Sequence, residues 1–203
     1  GITSFRMPSN LQYIAPETFR NCEQLKTFYI GKAFRGKINY GEEGDPDTLF
    51  LYYAPIRLIQ IDKENTSYQL QNEILYTRDG HILCQALKND NADSQLTIPS
   101  CVTEIADGAF YRNSEFGAIE VKGSLERIGI SAFACADVGS FYVKGGVNYL
   151  DRGSFYQSAI SEWRCHGGVK KYEKSAFQDV DATNGYAIDM NAITKLYQEL
   201  LYV

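Results

Sequence analysis

Phe116-Gly-Ala-Ile119-Glu-Val121, Val138-Gly-Ser-Phe141-Tyr-Val143 and Ile160-Ser-Glu-Trp163-Arg-Cys165 are one phrase written three times. Its starts, at 116, 138 and 160, lie 22 residues apart. Two residues separate the first pair of apolar slots and one separates the second. That closing alternation marks a strand with one face buried.

A second fixed block follows each phrase. Val102, Ile105 and Ala109-Phe110 set the pattern, repeated at Leu125, Ile128 and Ala132-Phe133. Val147, Leu150, Ser154-Phe155 and then Val169, Tyr172, Ala176-Phe177 continue it. The phenylalanines fall 23, 22 and 22 residues apart, a phase that chance alternation does not hold over four copies. At the front, Ile2-Thr-Ser-Phe5-Arg-Met7 runs through Leu11 and Ile14 to Thr18-Phe19. Leu25-Lys-Thr-Phe28-Tyr-Ile30 and Ile56-Arg-Leu-Ile59-Gln-Ile61 open further copies. Two copies have a polar first slot, Asp93 before Leu96 and Ile98, and Thr183 before Tyr186 and Ile188. About eight strands result, evenly spaced except across residues 25–93.

A unit this short cannot bury its apolar face alone, so it stacks on copies of itself. The expected fold is a single leucine-rich repeat solenoid over residues 1–203. It is a curved right-handed coil with a parallel β-sheet on one face and short turns, 3-10 or helical segments on the other. Phe19, Phe110, Phe133, Phe155 and Phe177 are expected to form an aromatic column on the wall opposite the sheet.

Three stretches depart from the period. Residues 31–55 carry Gly31, Gly36, Gly41, Gly44 and Pro46 and read as an inserted loop. Glu42, Glu43, Asp45 and Asp47 within it lack the alternating oxygen donors and terminal Glu of a calcium loop, and read as a solvated turn. Within residues 68–90, two alternating runs around Asp79-Gly80 predict a β-hairpin projecting from the solenoid. Ile193, Leu196, Tyr197, Leu200 and Leu201 share one helical face, with Asp189 or Asn191 as N-cap. Residues 189–203 are therefore expected to be a helix that caps the solenoid edge, with a dimerising or partner-binding helix as the alternative.

Composition narrows function by exclusion. The net charge is -5 and the pI near 5.1, against the clustered Lys and Arg of a phosphate-binding surface, so no nucleic-acid partner is expected. No apolar run reaches the length of a membrane span. Ile2 opens a structural phrase at once, and an exported chain whose signal peptide has been removed is expected. Five cysteines (Cys22, Cys84, Cys101, Cys135, Cys165) include no close pair, so they are expected to be small buried hydrophobes rather than a disulfide framework or zinc site.

Catalysis has little to stand on. His81 and Cys84 alternate onto opposite strand faces, and His166 follows Cys165, which the repeat phase buries. Glu115 and Glu120 are fixed around no cleft, and Gly145-Gly146 and Gly167-Gly168 recur at the repeat turn as structural elements. No catalytic residue, metal or cofactor is expected.

The block Leu96-Thr-Ile-Pro-Ser-Cys-Val-Thr-Glu-Ile-Ala-Asp-Gly-Ala-Phe110 resembles the BspA-like leucine-rich repeats. Met7-Pro-Ser-Asn-Leu11 through Thr18-Phe19-Arg-Asn-Cys22, and Ala132-Phe133-Ala-Cys135, are similar, as is the strand and hairpin from Ile59 to His81. The resemblance covers nearly the whole chain. It implies a surface-exposed or secreted bacterial protein, often from Bacteroidetes, that binds host or neighbouring-cell components. It carries over no binding residue, because family members vary on the exposed face.

Strand phase supplies candidates instead. The residue between the second and third slots points outward, giving Arg6, Tyr29, Gln60, Thr97, Glu120, Tyr142 and Arg164 in order. Strands roughly 4.8 Å apart set Glu120, Tyr142 and Arg164 in a ladder about 10 Å long. Lys122, Lys144 and His166 follow as a basic rim. Tyr and Arg suit interface centres, whereas cross-strand pairs also simply stabilise sheets. The expected function is an extracellular or cell-surface module binding a protein or glycan through Arg6, Tyr29, Glu120, Lys122, Tyr142, Lys144, Arg164 and His166. The alternative is a structural spacer without a ligand of its own.

Overall fold

The computed structural model describes residues 1–41, 48–52, 54–87, 94–114 and 116–180. Among the described residues run sixteen strands and no helix. The first five are β1 (Ser4–Arg6), β2 (Thr27–Ile30), β3 (Lys37–Ile38), β4 (Thr48–Leu49) and β5 (Leu58–Ile61). β6 (Tyr68–Gln71), β7 (Ile74–Thr77) and β8 (Ile82–Ala86) follow. The regular turns then pair β9 (Ser94–Ile98) with β10 (Glu104–Ile105) and β11 (Phe116–Val121) with β12 (Leu125–Ile128). They continue with β13 (Asp137–Val143) and β14 (Val147–Leu150), then β15 (Ala159–Cys165) and β16 (Val169–Tyr172). The result is a parallel β-solenoid of about seven turns.

The repeated phrase forms the first strand of each turn. β9, β11, β13 and β15 pair in parallel, and the register sets Leu96, Ile119, Phe141 and Trp163 side by side. These residues face inward, and only Trp163, on the last strand, is not fully buried. β1, β2 and β5 form a separate three-stranded sheet in the same manner.

The opposite wall corrects one expectation. It carries no helical segment among the described residues but a second parallel ladder, β10, β12, β14 and β16. The Ala-Phe block after each of these strands makes tight turns instead of a helix, for a visible reason. The N–H groups of Phe110, Phe133 and Phe155 donate to Ala132, Ser154 and Ala176 of the next turn of the coil, at 2.7, 2.7 and 2.8 Å. A helix would need them four residues back along its own chain. Two residues after each Phe the chain takes a left-handed conformation, at Asn21, Arg112, Cys135, Gln157 and Asp179 (φ 50 to 64). Such a residue ends a helical turn.

Between the walls the aromatic column forms. Phe110 stacks on Phe133 (centroids 4.6 Å, planes 8° apart), Phe133 on Phe155 (5.0 Å, 3°) and Phe155 on Phe177 (5.2 Å, 5°). Phe19 is not part of it. It sits in a second core, edge-on to Phe5 and Phe28 at 4.9 and 5.2 Å.

The hairpin separates these two cores. β7 and β8 pair antiparallel as the alternation predicts, but they do not project into solvent. β8 pairs with β10 in parallel, so the hairpin and β6 complete the second sheet to seven strands. All four residues of β7 are buried. Ile74, Tyr76, Leu83 and Ala86 face the Phe column, whereas Leu75, Cys84 and Leu87 face the N-terminal core. A strand apolar on both faces needs cover on both.

The stretch 31–55, read as a loop, contributes to the N-terminal core. Phe34, Ile38, Leu49 and Leu51 are fully buried, and β3 pairs with β4 in parallel. Asn39 anchors it with left-handed φ (62) and complete burial. Its Nδ2 donates to the Cys84 carbonyl (3.0 Å) and to Gln85 Oε1 (2.7 Å), and its Oδ1 accepts the Leu51 N–H (2.7 Å). Tyr52 lies against Gly108, where a Cβ would come within 2.2 Å of the Tyr52 ring.

The cysteines only partly follow expectation. Cys84 is buried, Cys22, Cys135 and Cys165 are partly so, and Cys101 is exposed in the turn after β9. All five are free thiols. The expected helix at 189–203, the weak last strand at 183–188, the acidic residues Glu42 to Asp47, Glu115 and the Asp93 slot lie outside the described residues.

Candidate functional site

Strand register brings the expected face together in two pieces. On the regular sheet Thr97, Glu120, Tyr142 and Arg164 are direct neighbours on successive strands. Lys122, Lys144 and His166 follow one position beyond the strand ends. Arg6, Tyr29 and Gln60 form a separate row on the N-terminal sheet, with no strand pairing between the two sheets among the described residues.

In the regular row Thr97 and Arg164 are exposed and Glu120 and Tyr142 half-buried. Glu120 takes ion pairs from Lys122 and, at 3.3 Å, from Lys144. The two lysines hold its carboxyl below the usual range, the hydrogen bond from Lys122 counting most. Tyr142 meets His166 edge-on, rings 5.4 Å apart, with its hydroxyl 3.4 Å from Nδ1. Arg164, its side chain 69% exposed, pairs with Glu162 on its own strand. In the N-terminal row Arg6 lies over the Tyr29 ring at 3.8 Å, and the Tyr29 hydroxyl donates to Asp62 (2.9 Å). That bond pushes the tyrosine pKa up, while backbone and tyrosine donors pull the aspartate down.

A third cluster lies on the outer face of the second sheet. Register aligns Glu104, Arg127, Tyr149 and Lys171 across β10, β12, β14 and β16. Arg127 is gripped from both neighbouring turns. Its guanidinium reaches Glu104 Oε1 at 2.9 Å, Asp107 Oδ1 at 2.6 Å and Asp151 Oδ2 at 2.9 Å. Asp107 also accepts the Ile130 N–H (2.8 Å). Gly129 makes room for it, since a Cβ there would lie 2.3 Å from the Asp107 carboxylate.

The charges of this cluster do not balance. Burial raises the pKa of Glu104 and Asp107 despite the nearby cation. Burial also disfavours charge on Arg127, but the carboxylates outweigh it and hold the guanidinium more firmly protonated. The pKa values on both sides thus rise, which disfavours charge on the acids and favours it on the guanidinium. One guanidinium shared among three carboxylates leaves each acid undercompensated, so the upward shift of the acids follows directly from the geometry. Tyr149 donates to Glu173 at 2.6 Å, which lifts its pKa to about 12, and Lys171 lies 5.0 Å above its ring.

Sequence reading missed this cluster. Arg127 stands 20 or more residues from each acid it pairs with, so no local segment contains the cluster. The available signal was the residue just before the last apolar slot of each second strand, at 104, 127, 149 and 171, which repeats in phase with the phenylalanines.

No nucleophile is paired with a base in the sites anticipated for one. Burial pushes the Cys84 thiol well up, and its Sγ donates to the Ile82 carbonyl. His81 lies 3.7 Å from Asp79 at the exposed hairpin turn. Among the described residues no group of His, Cys, Asp and Glu is arranged to hold a metal ion, and no helix is long and apolar enough to cross a membrane.

Comparison with known proteins agrees with this architecture. A solved pneumococcal vaccine antigen, PcpA, is similar in fold at 16% identity and a TM-score of 0.57, with 86% of this chain and 58% of that one covered. The present chain therefore spans less than two thirds of that protein's solved length. A leucine-rich repeat protein from Eubacterium ventriosum is also similar, at 11% identity and a TM-score of 0.27, over 93% of this chain and 85% of the other. No curated protein sequence matches. Six copies of the BspA type leucine rich repeat region match residues 1–40 and 80–184, more than half of the sequence, and the chain belongs to that family.

Proposed function

We propose that the chain is a non-catalytic binding module, displayed at the cell surface or secreted, that recognises a protein or glycan through the outer face of β9, β11, β13 and β15. The observation that carries this reading is the row Thr97, Glu120, Tyr142 and Arg164, set side by side on four successive strands. The parallel sheet presents this row with the Lys122, Lys144 and His166 rim along its edge. Tyr and Arg are side chains that concentrate energy at interface centres. Family membership supports display outside the cell.

One observation favours a spacer without a ligand. Glu120 pairs with Lys122 along its strand and with Lys144 across to the next, and Arg164 pairs with Glu162 along its own, as charges that only stabilise a sheet would. The deciding experiment screens the purified chain and its Tyr142→Ala/Arg164→Ala variant against immobilised extracellular-matrix proteins and glycans. Saturable binding lost in the variant is expected. Silence of both proteins across the array would favour the spacer.

A further inference from the structure

Across the solenoid from that face lies an open depression of about 760 Å³. Its position depends on the insert. Lys37, Tyr40 and Gly41 form one wall, and the outer face of the second sheet forms the floor and far rim. The wall is tied to the floor, because the Asp107 N–H donates to the Asn39 carbonyl at 2.7 Å while the Asn39 side chain holds β8. The depression is thus a built cleft whose two sides come from the irregular and the regular parts of the chain.

Its volume falls within the roughly 300–1,000 Å³ of small-ligand clefts. Its lining is unlike that of most such clefts. Apart from Tyr40, Gly41 and Ile130, its lining among the described residues is charged, and the signs are interleaved. Glu104, Asp107, Asp151 and Glu173 contribute four carboxylates, and Lys37, Arg127 and Arg152 contribute three cations.

Four ligand classes can be weighed against this lining. An apolar molecule would strip water from the charged groups of the lining without pairing them. A metal ion finds the centre of the carboxylates already filled by the Arg127 guanidinium. An anion meets four carboxylates and a cation meets three basic groups, so either one desolvates beside like charge. A hydroxyl group meets neither difficulty. It donates one hydrogen bond and accepts two, so it suits a surface where acceptors and donors alternate within one side chain's reach. Many hydroxyls on an uncharged, partly apolar ring make a sugar, and the Tyr40 ring offers the apolar patch for its C–H face.

We propose that this depression binds a short neutral oligosaccharide. The Glu104, Asp151 and Glu173 carboxylates accept from its hydroxyls, Arg127 and Lys37 donate to them, and Ile130 and Tyr40 carry the ring. The Arg127 ion pairs preorganise the floor, so little side-chain ordering accompanies binding. This site is separate from the proposed sheet face. The inward residues of both sheets meet in one core, so the two outer faces point away from each other.

The test uses the full chain on an array of printed neutral, sialylated, sulfated and amino oligosaccharides, with thermal unfolding to show that each variant is folded. Ile130→Trp fills the cleft without removing a charge, and Glu173→Ala removes one acceptor from its rim. Retention of a neutral oligosaccharide is expected, weakened at least about tenfold by the filling variant. Glu173→Ala should weaken it to a lesser degree, and Tyr142→Ala/Arg164→Ala should leave it unchanged. Three results would overturn the proposal. These are no neutral oligosaccharide retained, only charged ones retained, or neutral binding that survives Ile130→Trp. Neutral binding lost in the sheet-face variant would overturn it as well, and would place glycan recognition on the other face.

Discussion

From Ser94 to Tyr172 the chain makes the same turn four times, whereas residues 2–87 build a second core from turns that differ from one another. The regular half solves burial by stacking. Phe110, Phe133, Phe155 and Phe177 lie within 8° of parallel to their stacked neighbours, and the Phe110, Phe133 and Phe155 N–H groups find their acceptors in the next copy. The irregular half has no identical neighbour to stack on. Its rings share no common orientation, Phe19 meeting Phe5 and Phe28 edge-on while Phe5 lies 30° off Phe28 and Phe34 28° off Tyr68, and its chain is held by individual buried polar groups. Asn39 is one. Asn65 is another, donating to the Gly31 carbonyl at 2.8 Å and accepting from Ser67 and Tyr68. The Tyr68 hydroxyl donates to the Gly36 carbonyl at 2.6 Å. Repetition distributes stability over equivalent contacts, whereas irregular packing concentrates it in a few.

The largest expected effect tests the stacked half. Phe133→Ala removes a fully buried ring in contact with Phe110, Phe141 and Phe155. It should cost roughly 3–5 kcal/mol, lowering Tm by about 10 °C in a chain of this size. Phe177→Ala, at the described end of the column and only partly buried, should cost distinctly less. Equal losses at the two positions, read by thermal unfolding, would show that the column does not act as a stack with a middle and an end.

Asn39→Ala tests the other half. It leaves the Leu51 N–H and the Cys84 carbonyl without their partner and places Ala in a left-handed conformation. About 2–4 kcal/mol should be lost. Asn39→Gly recovers the backbone part alone. Because Asn39 joins the insert to the hairpin between the cores, denaturant unfolding of the Ala variant should split, with Tyr and Trp fluorescence no longer coincident with circular dichroism. A single coincident transition at lower denaturant would mean that the halves are coupled through the hairpin alone.

What the sequence disclosed follows the same division. The 22-residue phase is a property of residues close in sequence and repeated, so the strand order, the inward Ile119-Phe141-Trp163 row and the outward Glu120-Tyr142-Arg164 row were all legible. The hairpin was legible as a hairpin but not as a partition. Ile74-Leu-Tyr-Thr77 is apolar on both faces, and nothing local says what covers the second one. The insert misled because its glycines announce turns, while the four buried residues Phe34, Ile38, Leu49 and Leu51 carry no period. The Arg127 cluster and the cleft exist only once turns are stacked, and no single segment contains them.

A smaller effect concerns the boundary between the halves, where Asp107 meets both Asn39 and Arg127. Burial raises the Asp107 and Glu104 pKa values, so the folded state holds these protons more firmly than the unfolded chain. Their contribution to stability is present below the ordinary carboxylate value of about 4 and is lost as pH rises through the raised values. Asp107→Asn keeps an oxygen for Arg127 and for the Ile130 N–H but cannot ionise. It should stay within about 1 kcal/mol of wild type at neutral pH, and its stability relative to wild type should improve from pH 4 to pH 7. Chemical denaturation at the two pH values reads this. A relative stability that falls over that range would mean that the ionised Asp107–Arg127 pair stabilises the fold outright.

The smallest effect separates the two outward rows. In the N-terminal row Arg6 lies flat on Tyr29, whose hydroxyl is committed to Asp62. In the regular row Arg164 extends into solvent beside one carboxylate of its own strand. Both arginines are surface groups, and neither Arg6→Ala nor Arg164→Ala should shift Tm measurably. Their consequences for binding should differ. A partner on the regular sheet loses an anchor with Arg164, whereas Arg6 is engaged in packing within its own sheet and belongs to a row that no strand pairing joins to the other. Surface plasmon resonance against whichever matrix protein or glycan the wild type retains compares the two directly. Loss confined to Arg164→Ala supports recognition by the regular half alone, and equal loss in both would mean that one partner spans the two sheets across the hairpin.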